Sequence, residues 1–161
     1  MFNEKCFTKE WLQSFKQLTA HRRIDVIILE KMIYALHLLE QIQQCGLKFT
    51  FKGGTSLILL LDEENRFSIY IDIISNTNRE ELEGILVKVI DSSRFTGFEL
   101  DEHRSYKAGV PKAHYTFTYE SSIKGGFAGT VVLDILTEDS LYPETTGKEI
   151  KVKWIETEDR T

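Results

Sequence analysis

The chain has 161 residues, enough for one domain with its own hydrophobic core. Hydrophobic residues make up 42% and charged residues 28%, the balance of an ordinary globular protein rather than of a disordered or fibrous one. The net charge of −5 disfavours non-specific binding to a polyanion, so contact with nucleic acid would have to come from a local basic patch.

The first residues lack a basic start followed by an apolar stretch, so no signal peptide is expected. Trp11, Leu12, Phe15 and Leu18 recur at three- and four-residue steps and predict a short helix. Residues 24–45 predict a longer one, with Ile27, Ile28, Met32, Leu36, Leu39 and Ile42 as its inner stripe and Gly46 as its stop. Cys6 and Cys45 have no Cys-x-x-Cys spacing and no His pair beside them; they read as reduced thiols of a cytoplasmic protein. Residues 47–52 alternate as a strand, Gly53 and Gly54 end it, and residues 55–61 suggest a short buried helix. The apolar run at 57–61 is far too short to cross a bilayer, so no membrane partner is expected.

Residues 67–74 form the most informative strand. Phe67, Ile69, Ile71 and Ile73 alternate with Ser68, Tyr70 and Asp72, so the first set faces a core and the second shares the opposite face. Thr77 or Asn78 can cap a helix reaching about residue 90, with Leu82, Ile85, Leu86 and Val89 inside. Four further strands are expected at 98–104, 113–119, 128–137 and 149–155, with a hairpin loop at 121–126. Tyr115, Phe117 and Tyr119 share the core face of the second of these. Helices followed by a mixed section and then neighbouring strands indicate a single α+β domain spanning residues 1–161. The charged ending just after a strand suggests the N-terminal part of a longer protein.

Lys52-Gly53-Gly54-Thr55-Ser56 can be read in two ways. Glycines after a strand let a backbone approach a phosphate, and N–H groups at a helix start attract anions. The same residues also make a common tight turn. Asp72 is either a solvated strand residue or a ligand near that turn. Asp134 interrupts the apolar run 131–136, where a carboxylate must be paired, metal-bound or at a solvent end. The four histidines, His21, His37, His103 and His114, are scattered and read as surface or packing residues.

Taken together, FKGGTS followed by RFSIYIDI resembles the signature of the AbiE (AbiEii) toxins, which have a nucleotidyltransferase fold. Their pattern is Gly-Gly-Thr or Gly-Gly-Ser, then Arg-Phe-Ser, then Asp-x-Asp. The helix ahead of the turn is also similar, and Asp134 is similar to the third carboxylate. The resemblance implies a nucleotidyltransferase-like mixed β-sheet packed against helices. It implies a Mg²⁺-dependent transfer of a nucleotide from an NTP to RNA, such as a tRNA, or to protein. It also implies a cognate antitoxin as partner. Asp72 and Asp134 would be the catalytic metal ligands. Lys52, Gly53, Gly54, Thr55, Arg66 and Ser68 would bind the nucleotide.

Two departures stand against this pattern. Tyr70 occupies the first Asp position of Asp-x-Asp, and a phenol, ordinarily protonated up to about pH 10, is a poor magnesium ligand. The family's further helical part, with its active-site Lys, has no counterpart between residues 154 and 161. A degenerate relative that binds a nucleotide or a partner without turnover is therefore the alternative. A pure interaction module is a third.

Overall fold

The structure is a computed structural model that describes residues 2–18, 25–56, 69–142, 144–147 and 150. A 3-10 turn, Glu4–Phe7, leads into helix α1, Lys9–Leu18. Helix α2, Val26–Gln44, follows, then strands β1, Thr50–Lys52, and β2, Tyr70–Ile74. Helix α3, Arg79–Ser92, precedes strands β3, Phe95–Leu100, β4, Lys112–Glu120, and β5, Ala128–Leu136. The five strands form one mixed sheet in the order β1-β2-β5-β4-β3. Only β2 and β5 run parallel; the other pairs are antiparallel. This is the α+β architecture expected.

Local chemistry accounts for the element ends. Asp25 caps α2 by accepting from the Ile27 amide at 2.8 Å, and Asn78 caps α3 by accepting from the Glu81 amide at 2.9 Å. Helix α2 is the hub of the core: most of its length from Leu29 to Ile42 is buried, including the polar Glu30, His37, Glu40 and Gln41. The sheet meets the helices with Ile71 and Ile73 of β2, Val131, Leu133 and Ile135 of β5, and Ala113, Tyr115, Phe117 and Tyr119 of β4. Tyr34 of α2 stacks on Tyr119 at 3.7 Å between ring centroids. The strand alternation thus sends every second residue into the layer packed against α2 and α3, and the residues between them to the opposite sheet face.

Several boundaries differ from expectation. Ile27 and Ile28 are 39% and 42% exposed, because α2 enters the core only from Leu29 onward. Strand β3 starts at Phe95, with a register shift between Phe95 and Gly97, and stops at Leu100 instead of running to 104. The Asp101 carboxylate accepts from the amides of His103 and Arg104 and folds the chain into a turn there. The strand expected at 47–52 is regular only over Thr50–Lys52. The helical turn expected from Thr55 already includes the Gly53–Gly54 turn. Residues 57–68 and most of the strand expected at 149–155 lie outside the described residues; Ile150 packs against the core.

One buried carboxylate ties α2 to the β4–β5 hairpin. Glu30 accepts from the Ser121 hydroxyl at 2.6 Å and from the amide and hydroxyl of Ser122 at 2.8 and 2.9 Å. Replacing it strands these donors away from water. Glu30→Ala is expected to lower stability by about 3 kcal/mol. Urea denaturation should show this as a lower midpoint at unchanged slope.

Candidate functional site

Among the described residues, the sheet face opposite α2 and α3 carries a row of ionisable side chains. Lys52 of β1 is the register partner of Asp72 on β2, and Asp72 is the partner of Asp134 on β5. Asp134 in turn faces His114 on β4. Directly opposed residues in a sheet project to the same side, so four neighbouring strands place Lys52, Asp72, Asp134 and His114 in one line. The residues before and after them on each strand, such as Ile71, Ile73, Leu133 and Ile135, are core residues that lock this register.

The Gly-Gly turn closes over the row. Gly53 has φ +80°, a left-handed conformation natural to glycine. A Cβ built there would lie 2.5 Å from Oδ2 of Asp72, so only glycine lets the turn sit this close to that carboxylate. Thr55 is buried, and its hydroxyl donates to the backbone carbonyl of Tyr70. The Ser56 hydroxyl donates to the Gly53 carbonyl at 2.6 Å. Both protons are therefore spent on tying the turn to itself and to β2. What this turn offers an anion is backbone, not hydroxyl donors.

The electrostatics are those of a crowded acidic pair. Burial and the neighbouring Asp134 carboxylate push the Asp72 pKa above the ordinary carboxylate range, and Lys52 partly offsets them. Asp134 is held by a hydrogen bond between its Oδ1 and Nδ1 of His114. Tyr70 lies at the edge of the same face with 52% of its surface exposed.

Residues 37–156 match the family described as nucleotidyl transferase AbiEii toxin, type IV TA system. The chain belongs to this AbiEii family. A provisionally assigned nucleotidyltransferase from H. pylori is similar in structure, at 20% identity and a TM-score of 0.49. That alignment covers 68% of this chain and 47% of the other, so the chain spans about half the length of that protein. No curated protein matches it.

Of the residues singled out from sequence, Lys52, Gly53, Asp72 and Asp134 come together, with Gly54 and Thr55 in the adjoining turn. Arg66 and Ser68 lie outside the described residues. His114, read from sequence as a surface or packing residue, is instead the cross-strand partner of Asp134. Its signal was available: it alternates against the core residues Ala113 and Tyr115, and so shares a parity with polar positions. Among the described residues, no three His, Cys, Asp or Glu side chains gather as a metal-binding group. Tyr70 stands two residues before Asp72 on β2, where the resemblance predicted an aspartate. Two carboxylates on adjacent strands that repel one another still fit a single hard cation, because magnesium is commonly held by one or two carboxylates and completes its shell with substrate phosphate and water. Among the described residues, no helix is long and apolar enough to cross a membrane.

The raised Asp72 pKa has a stability consequence. A carboxyl with a higher pKa in the folded than in the unfolded chain stabilises the fold below the unfolded value and loses that contribution as pH rises through the folded value. Asp72→Asn is therefore expected to raise the metal-free protein's melting temperature at neutral pH and to flatten its fall from acid to neutral. Thermal unfolding in EDTA at several pH values checks this; a lower melting temperature at neutral pH would mean that the carboxylate is a stabilising element.

Proposed function

We propose that this sheet face binds an NTP together with Mg²⁺ and transfers its nucleotide to a hydroxyl of RNA, such as a tRNA, or of a protein. The observation that supports it above all is the in-register row Lys52–Asp72–Asp134, with Gly53 packed against the Asp72 carboxylate. Asp72 and Asp134 would hold the cation, which when bound offsets triphosphate charge and favours the deprotonated acceptor. Lys52, one strand over, places an ammonium group against the phosphates. The Gly53–Gly54 backbone approaches them closely, and Thr55 anchors that turn to β2 through Tyr70. In the transfer the acceptor oxygen bonds to the α-phosphorus, the bond to pyrophosphate breaks, and the hydroxyl proton leaves to solvent or a nearby base. Arg66 and Ser68 complete the proposed nucleotide-binding set. A cognate antitoxin is the proposed protein partner, in keeping with the family's toxin–antitoxin description.

A second reading has its own support. Tyr70 on the ligand-bearing face favours a protein that binds a nucleotide or a partner without turnover. Calorimetric titration with mixed NTPs, with and without Mg²⁺, tests binding first. Magnesium-dependent binding is expected, with Lys52→Ala and Asp134→Ala each weakening it by roughly tenfold or more. No binding by a folded protein would refute both nucleotide readings. If binding holds, transfer of label from an α-labelled NTP to bulk tRNA or to the protein itself separates enzyme from degenerate binder.

Tyr70→Asp supplies the sharper comparison. Restoring a third carboxylate on β2 is expected to tighten magnesium binding and raise any transfer rate. If both stay unchanged in a folded variant, position 70 is not a ligand position.

A further inference from the structure

We propose that His114 is the positioning residue of this site, fixing the Asp134 carboxylate so that its other oxygen faces the ligand. The inference rests on the nucleotide-site reading above, and adds to it a residue that a metal-carboxylate scheme does not contain. Asp134 lies on the sheet face opposite the buried Leu133 and Ile135, with 31% of its side chain exposed. Its partner is supplied across the sheet: His114 is its direct neighbour on β4, and Nδ1 meets Oδ1.

The histidine is itself held from both sides. Its amide donates to the hydroxyl of the buried Ser105 at 2.9 Å, and its carbonyl accepts from the Asp101 amide at 2.9 Å. The ring is 13% exposed, so it is a mounted group rather than a swinging surface side chain. An ionised carboxylate only accepts, so a neutral imidazole in this pair carries its proton on Nδ1. That bond restrains the Asp134 side-chain rotation and leaves Oδ2 as the oxygen available to a cation or substrate. With Tyr70 in place of a carboxylate, fewer ligands remain, and each must be better oriented to hold the same ion.

The test has two independent readouts on the full chain. Nitrogen NMR of the imidazole in metal-free protein reads directly which ring nitrogen carries the proton. The Nδ1-protonated form is expected in the wild type and should be lost in Asp134→Ala. An Nε2-protonated ring in the wild type would overturn the proposal, whether or not any nucleotide binds. The second readout is binding of Mn²⁺ with ATP, followed by paramagnetic resonance. His114→Ala is expected to weaken it by about 10–100-fold, and His114→Asn, which keeps a donor near the Nδ1 position, should recover most of the loss. Equal binding by wild type and His114→Ala would overturn the proposal. So would equal loss in both variants with unchanged denaturation midpoints. Absence of Mn²⁺–ATP binding by the wild type refutes the nucleotide-site reading, and with it a ligand-positioning role for His114.

Discussion

The parallel pairing of β2 with β5 is the constraint on which the rest of the site depends. It sets Asp72 beside Asp134 with side chains on one face, although like charges on neighbouring strands repel. Slipping β2 by one residue would relieve the repulsion, but it would also turn Ile71 and Ile73 out of the core. Burying two such side chains is worth several kcal/mol, at about 1.5–3 kcal/mol each. Partly solvated carboxylates repel by much less than that. Hydrophobic registry therefore wins, and the acidic pair is held in place by residues on the opposite side of the sheet.

The same asymmetry decides which face of the sheet carries the polar row. Helix α2 buries most of its length, mainly through apolar side chains, and together with α3 it packs on one side of the sheet. The strands alternate, so whatever is not needed for that layer faces the other way: Lys52, Asp72, Asp134 and His114. Glu30 reinforces the arrangement from behind by fastening α2 to the hairpin between β4 and β5. Fold stability and site chemistry thus sit on opposite faces of one sheet, joined through the register of the strands.

Much of this was legible from local pattern. The alternation around Asp72 placed it and Tyr70 on one face, and the apolar run around Asp134 marked a carboxylate that had to be paired, metal-bound or at a solvent end. The core face of Tyr115, Phe117 and Tyr119 followed from the same period of two. The partners themselves were not legible, because pairing between strands distant in sequence is a tertiary choice. The alternation around His114 marked its sheet face, but nothing beside it in the chain reveals Asp134 as its partner. Helix α2 shows the opposite limit: its apolar residues are so dense that periodicity did not separate the exposed Ile27 and Ile28 from the buried Leu36. The Asp101 turn was hidden by a strand-like run whose end depends on one side chain accepting two amides.

Replacing an aspartate by Tyr70 changes the charge balance as well as the ligand count. On the proposed reading, Asp72, Asp134 and Lys52 carry a formal charge of −1 before anything binds, where a third carboxylate would make it −2. A less negative site attracts a free divalent cation less strongly, and repels a triphosphate less strongly. The ion and the nucleotide then each supply what the other lacks, positive charge on one side and oxygen ligands on the other. Binding of the two becomes more strongly coupled than in a site with a full carboxylate set. The turn geometry suits this division: Gly53 brings backbone against Asp72 on the nucleotide side, while His114 holds Asp134 from the far side of the row. On the proposed reading, a site with one acidic residue fewer would still offer an ion–nucleotide complex a fixed pair of oxygens and a close approach for phosphate.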